Sequence, residues 1–374
     1  MPDSYSEMIG RYGYVDAPVD GSLNLIAEIE RLKKVKNAIL LGHYYITPDL
    51  QDISDFLGDS LALAQQAAAT NADIILFIGV HFMAETAKIL NPSKKVLIPD
   101  LNAGCSLADS ASGEDFENFL KQHPDHVVIS YINCSSEVKA LSDVIVTSSN
   151  ARKIVESFPE DQKIIFAPDK NLGNYLNSVT GRNMLLWDGA CMVHEKYSLE
   201  KIIELKNSEP DALLIAHPEC EQPVLLVADY IGSTTALLKY VSISKGNKFI
   251  VATESGILHQ MKMDCPDKIF IPAPSIDSTC GCNDCSFMKL NTLKKVYLAL
   301  LHEQPEIVMD EELMAKARKP VVRMLELSKL LKTVVLSAIN WPTQDILLKI
   351  SFLCQEDLAL AQNFIRNFYV NEKK

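Results

Sequence analysis

No stretch of this 374-residue chain reaches the roughly 18 consecutive apolar residues of a membrane span, and Met1 to Asp20 carries neither a basic run nor an apolar one behind it. Neither a membrane anchor nor a secretory leader is therefore expected, and the cytoplasm is the expected compartment. Positive charge is also scarce: 36 Lys and Arg face 48 Asp and Glu, a formal net charge of -12. Nucleic acids and anionic membranes both require a basic footprint, so neither is an expected partner. The 15 Gly and 17 Pro are too few for a collagen-like or low-complexity chain. A dense disulfide framework is missing as well. The nine cysteines are an odd number spread through a long chain, and in a reducing compartment they are thiols or metal ligands first.

What is present is enough apolar residue, 48%, to bury more than one core, which predicts two or three domains. An internal repeat organises them. An Ile, Leu and Val-rich run ends in a polar group in Ala38–His43, in His126–Tyr131 and again in Ala212–His217. Each reads as a buried parallel strand with functional groups at its C-terminal end. Twelve residues after His43, Tyr131 and His217 come Asp55, Asp143 and Asp229, and five further on come Ser60, Ser148 and Thr234. Each hydroxyl opens a helical stretch and reads most simply as an N-cap. Second strands follow at Ile74–Gly79, Lys163–Ala167 and Lys248–Ala252, and third strands at Val96–Ile98, Met184–Trp187 and Lys268–Ile271. Alternating strands and helices predict parallel sheets covered on both faces, with ligands at the carboxyl ends of the strands. Three such units predict pseudo-threefold packing, with equivalent loops meeting at one central cavity.

A cysteine closes each unit. Counted from His43, Tyr131 and His217, the intervals to Cys105, Cys191 and Cys285 are 62, 60 and 68 residues. A lone cysteine is more often a small buried apolar residue than a ligand, but phase with the repeat reverses that preference. Cys282-x-x-Cys285, with Cys280 beside it, also fits half a zinc site or a redox pair, although no second C-x-x-C completes four zinc ligands. Three converging thiolates suit an iron–sulfur cluster better, because one iron is left open to act as a Lewis acid. Cys134, Cys220, Cys265 and Cys354 fall off the phase and are expected to be structural, with Cys134 and Cys220 placed where they could line the cavity.

Several motifs run through the same units. They are His43-x-Tyr45 with Gly58-Asp59-Ser60, Gly79-Val80-x-Phe82-Met83-Ala84-Glu85-Thr86, Ala103-Gly104-Cys105, Tyr131-x-Asn133, Thr147-Ser148-Ser149-Asn150-Ala151, His217-Pro218-Glu219-Cys220, Thr253-Glu254-x-Gly256 and Cys282-x-x-Cys285-x-x-Met288. Together they resemble the quinolinate synthase family from about Leu25 to Ser328. The resemblance implies three homologous three-layer αβα domains around a pseudo-threefold axis, here about 25–104, 105–190 and 191–290. These follow an N-terminal segment 1–24 and precede a helical segment 291–328 packed back on the first unit and a C-terminal helical extension 329–374. It implies condensation of iminoaspartate with dihydroxyacetone phosphate to quinolinate, with loss of phosphate and two waters, in NAD biosynthesis. It further implies a 4Fe-4S cluster on Cys105, Cys191 and Cys285 with the fourth iron open to substrate. Substrate-binding roles carry over to His43, Ser60, Tyr131, Ile132, Asn133, Ser148, His217, Pro218, Glu219 and Thr234.

Helix N-termini at Ser60, Ser148 and Thr234 would hold the substrate carboxylates despite the negative net charge. For proton transfer the candidates are His43, His217, Glu219 and Tyr45, with Glu219 and Tyr45 assigned to enolisation, cyclisation and dehydration. An aspartate oxidase or dehydrogenase is the implied source of iminoaspartate, and the protein is expected as a monomer or homodimer. The chain departs from the family where Cys280 stands one residue closer to Cys282 than the usual spacing. Two rival readings use the same features: another cluster-dependent dehydratase, and an iron–sulfur or zinc scaffold without catalysis.

Overall fold

A computed structural model describes residues 4–276 and 283–338. Cys280, Cys282 and residues 339–374 of the helical extension lie outside the described residues. Twelve strands form three parallel four-stranded sheets. The first holds β1 (Ala38–His43), β2 (Phe56–Gly58), β3 (Ile74–Ile78) and β4 (Lys95–Leu97) in the order β2-β1-β3-β4. The second holds β5 (Val127–Tyr131), β6 (Val144–Val146), β7 (Ile164–Ala167) and β8 (Leu185–Leu186), and the third β9 (Leu213–Ala216), β10 (Tyr230–Ile231), β11 (Lys248–Ala252) and β12 (Ile269–Pro272). Both repeat the order of the first, in β6-β5-β7-β8 and β10-β9-β11-β12. The repeat in the sequence is thus a repeat of topology, three αβα units whose strands end on a common centre.

The central strands are buried on both faces, as their unbroken apolar runs require; every residue of β3 and of β7 is buried. In the third unit, successive residues sort by period two. Leu214, Ala216, Ile250 and Ala252 enter one core cluster, while Ile215, Phe249 and Val251 enter another on the opposite face. The first two units share one continuous core.

The short strands β2, β6 and β10 were not visible as runs, and the three in-phase aspartates explain how they are held. Asp55 accepts the Leu40 N–H at 2.8 Å and returns its own N–H to the Leu40 carbonyl at 3.0 Å. Asp143 treats Val128 in the same way (2.8 and 2.9 Å), and Asp229 does so with Leu214 (2.7 and 2.7 Å). Each aspartate stitches an edge strand to the first strand of its unit.

After the third unit, the helix Leu293–His302 packs on the helix Leu25–Val35 and on β3. The long helix Glu311–Ala338 reaches beyond the first unit and lies on Ser136–Ala140 and β6 of the second, as well as on His81–Leu90. Among the described residues no helix is long and apolar enough to cross a membrane.

Candidate active site

His43 closes β1, Tyr131 closes β5 and His217 directly follows β9, and all three line one cleft of about 720 Å³, part of it continuous with solvent. A concave site lined by these converging polar groups suits a small molecule. Ser60, Ser148 and Thr234 reach the same cleft, but the N-cap reading of these hydroxyls does not hold. The caps sit one residue earlier: Asp59 accepts the Ala62 N–H at 3.0 Å and Ser233 accepts the Ala236 N–H at 3.3 Å. Ser60 and Thr234 therefore stand in the first helical turn with hydroxyls not used as caps, that of Thr234 meeting the Tyr45 hydroxyl. In the second unit the helix begins at Ala151, so Ser148 lies in the loop before it, its hydroxyl 3.2 Å from His217 Nε2.

Glu219 sits among three of the cleft's polar side chains, Tyr131, His194 and His217. It is 3% exposed, accepts the Tyr131 hydroxyl, and places Oε2 3.0 Å from His194 Nδ1. Burial alone would push its carboxyl up, but the adjacent His194 and His217 and the hydrogen bonds from His194 and Tyr131 hold it down at about 2, so it is ionised at neutral pH. Burial lowers His43 to about 4 and His217 to about 3. Both are neutral imidazoles at pH 7, serving as hydrogen-bonding groups rather than groups that titrate near neutrality. The Tyr45 hydroxyl lies 2.9 Å from that of Thr234 and 2.8 Å from that of Thr253. Burial raises its ionisation well above the usual 10, so it stays a proton donor. Asn133 also faces the cleft, and its Oδ1 is buried without a protein partner, an acceptor left for a ligand.

Cys105, Cys191 and Cys285 line this cleft, and among the described residues no other cysteine does. Burial pushes Cys105 up to about 12, with Cys285 adding to the rise; burial also raises Cys191 well above the usual thiol value, with Glu219 and Cys105 contributing. Cys105 thus lies close enough to both Cys191 and Cys285 for their charges to interact. Neutral thiols of this kind ionise only when a cation supplies the compensating charge, which suits a soft metal group. Cys134 and Cys220 do not reach the cleft: both are fully buried, and Cys220 donates to the Ala252 carbonyl at 3.3 Å. Ile132 and Pro218 are also absent from the lining, Ile132 being 1% exposed with its side chain in the core.

Sequence reasoning missed His194. Its Nδ1 lies 3.2 Å from Cys191 Sγ, its Nε2 lies 3.0 Å from the Thr253 hydroxyl, and its ring stacks on His217 with centroids 4.9 Å apart. The Cys191-x-x-His194 spacing was the available signal. Donor atoms of Cys191, His194 and Glu219 all lie within 4.8 Å of one another and could hold a metal ion. Glu254, quoted only as part of a motif, is fully buried and paired with Lys289 at 2.9 Å.

An ionised carboxylate and neutral imidazoles buried beside three thiols are of no use to a structural scaffold, so fold and cleft define an α/β enzyme that transforms a small polar substrate beside residues able to hold a metal. A family model described as Quinolinate synthetase A protein matches residues 27–326, and the chain belongs to this quinolinate synthase family of iron–sulfur enzymes of NAD biosynthesis. A protein named quinolinate synthase from Microcystis aeruginosa is 60% identical over 305 residues, covering 82% of this chain and 95% of its own length. Others of that name from Thermosynechococcus vestitus and Chloroherpeton thalassium are each 59% identical, covering 82% of this chain and 96% and 95% of their own lengths.

Proposed function

We propose that the cleft condenses iminoaspartate with dihydroxyacetone phosphate, and that Cys105, Cys191 and Cys285 hold a 4Fe-4S cluster at its wall. The observation that carries this reading is the meeting of the three in-phase cysteines in the cleft that also holds Glu219. The reaction gives quinolinate, phosphate and two waters. Its atoms balance without an oxidant or reductant, so no electron partner is required. When bound, a cluster with three cysteine ligands supplies an open iron as a Lewis acid toward a substrate oxygen.

The protein's own groups account for the rest. The Ser60 and Thr234 hydroxyls, in the first turns of ten-residue helices, offer donors to the carboxylates of iminoaspartate where the helix dipole favours negative charge. Ser148 contributes a loop hydroxyl aligned by His217, and Asn133 and Tyr131 add neutral groups. His43 acts as a neutral imidazole whose Nδ1 accepts the Tyr45 N–H at 3.2 Å, leaving Nε2 for substrate. Glu219, ionised and backed by His194, takes protons from carbon during enolisation and cyclisation; Tyr45 delivers a proton to the departing hydroxyl.

Unit boundaries at 25–104, 105–190 and 191–290, a cytoplasmic monomer or homodimer, and supply of iminoaspartate by an aspartate oxidase or dehydrogenase complete the proposal. A second reading has a specific observation behind it: a single metal ion at Cys191, His194 and Glu219. It would use one in-phase cysteine instead of three. The deciding experiment is an anaerobic assay with both substrates, coupled to iron and sulfide analysis of the wild type and of Cys105→Ala. A pyridine dicarboxylate product with cluster lost in the variant is expected. Zinc without sulfide, or a cluster retained in Cys105→Ala, would overturn the ligand assignment, and no product from cluster-replete protein would overturn the reaction.

A further inference from the structure

Cys105 and Cys191 lie on segments tied down by the same backbone device. The His81 N–H donates to the Ala103 carbonyl at 2.7 Å and the Lys170 N–H donates to the Gly189 carbonyl at 2.8 Å; in each case the donor stands three residues past a central strand and the acceptor two before the cysteine. Cys285 hangs on a longer segment, 13 residues past β12, against 8 past β4 for Cys105 and 5 past β8 for Cys191. Two residues past the third central strand, β11, where the other units have Val80 and Asp169, stands Glu254.

We propose that Glu254 and Lys289 are a clasp that positions Cys285 relative to Tyr45. Glu254 Oε1 accepts the Cys285 N–H at 3.1 Å and meets Lys289 Nζ at 2.9 Å, while Oε2 accepts the Gly256 N–H at 2.7 Å. Lys289 sits one turn beyond Cys285, its N–H donating to the Cys285 carbonyl at 3.2 Å. Its ammonium also donates to the Tyr45 carbonyl at 2.8 Å, in the first unit. One ion pair thus joins the segment carrying Cys285, the end of β11 and the loop carrying the proposed acid. Gln51 reinforces the same junction from beneath, its amide donating to the carbonyls of Tyr44, Ile46 and Gly256, each at 2.9 Å.

Charge-assisted hydrogen bonds in a buried setting are the strong, directional kind, and groups one bond removed from a metal ligand fix its orientation. With the clasp intact, the Cys285 backbone is held at its N–H and, through Lys289, at its carbonyl, which positions the side chain it carries. Without it, Cys285 loses its backbone tie to the end of β11. The inference rests on Cys285 being a ligand, and the test separates the two claims.

Lys289→Met removes the cation and Glu254→Gln removes the anion while keeping an acceptor for the Cys285 N–H. In cluster-free full-length protein under anaerobic conditions, iodoacetamide labelling read by mass spectrometry should show Cys285 reacting faster relative to Cys105 in both variants. After reconstitution, both should lose iron to a ferrous chelator about 10- to 100-fold faster than wild type, with an altered electron paramagnetic resonance spectrum of the reduced cluster. An unchanged Cys285 to Cys105 labelling ratio together with unchanged iron release overturns the clasp. If wild type binds no cluster, the ligand reading fails, and the labelling ratio still decides the clasp. Should Glu254→Gln fail to fold, Lys289→Met, whose side chain is 24% exposed, carries both measurements.

Discussion

Glu219 concentrates the chemistry of the cleft in one side chain, because its carboxylate is buried yet ionised and touches Tyr131 and His194. Glu219→Gln keeps the shape and removes the base, so turnover should fall by about 10²- to 10⁴-fold with iron and sulfide content unchanged, measured by anaerobic product formation. The neighbouring histidines make a separate prediction about acid. His43 and His217 are depressed from 6.5 to about 4 and about 3, so as pH falls below about 6.5 the unfolded chain takes up these protons before the folded one does. The stability they contribute is complete above that pH and is lost progressively toward their folded values; Glu219, depressed from 4.5 to about 2, adds its own loss from the lower end of that window downward. Urea midpoints of cluster-free protein should therefore drop between about pH 7 and about pH 4, and a His43→Gln, His217→Gln double variant should flatten that drop. Identical slopes would remove these two residues as its cause. The sequence pointed to His43 and His217 because each ends a strand-like run of the repeat, and to Tyr45 and Glu219 through the motifs that follow those histidines. It did not point to His194, whose one signal was the Cys191-x-x-His194 spacing; its stacking on His217 and its contact with Thr253 join residues 23 and 59 positions apart that no local pattern links.

At the level of the element, long central strands were legible because burial on both faces demands unbroken apolar runs, and β1, β3, β5, β7, β9 and β11 fall where those runs lie. The edge strands β2, β6 and β10, two or three residues each, are too short to show a pattern. Their marker was the in-phase aspartate, seen in the sequence without its purpose. Helix starts were misplaced by one residue in the first and third units because Asp59 and Ser233 cap as well as the hydroxyl that follows them. The strand clamp is testable in the second unit. Asp143→Ala leaves the Val128 N–H without its carboxylate acceptor and should destabilise the protein by about 1–3 kcal/mol in denaturant titration. Asp143→Asn, which still presents an acceptor oxygen, should cost less. Equal losses would show that the hydrogen bond to Val128 is not what the aspartate contributes.

For the whole molecule the question is what keeps three separate sheets in register around one cleft, since Ser60, Ser148 and Thr234 act on one substrate only if their units do not drift apart. The structure places a polar junction between the units beside these residues. The Ser149 hydroxyl from the second lies 2.6 Å from Asp59 Oδ2 of the first and 2.8 Å from the Ser233 hydroxyl of the third. Asp59 and Ser233 are also the caps of the two helices whose first residues face the cleft, so the junction and the substrate-binding hydroxyls are adjacent along the chain. The cysteines are held elsewhere, by the backbone ties behind Cys105 and Cys191 and by Glu254 behind Cys285. Removing the Ser149 hydroxyl should then loosen substrate binding without touching the metal centre. Ser149→Ala is expected to raise the KM for iminoaspartate several-fold, to lower stability by about 1 kcal/mol, and to leave iron content at the wild-type level. Ser149→Thr, which restores a hydroxyl, should recover most of the KM. A loss of iron in Ser149→Ala, or a KM unchanged while stability falls, would mean that the junction supports the fold alone and that the cleft is kept in register by the packing of the long helix Glu311–Ala338 across the first two units.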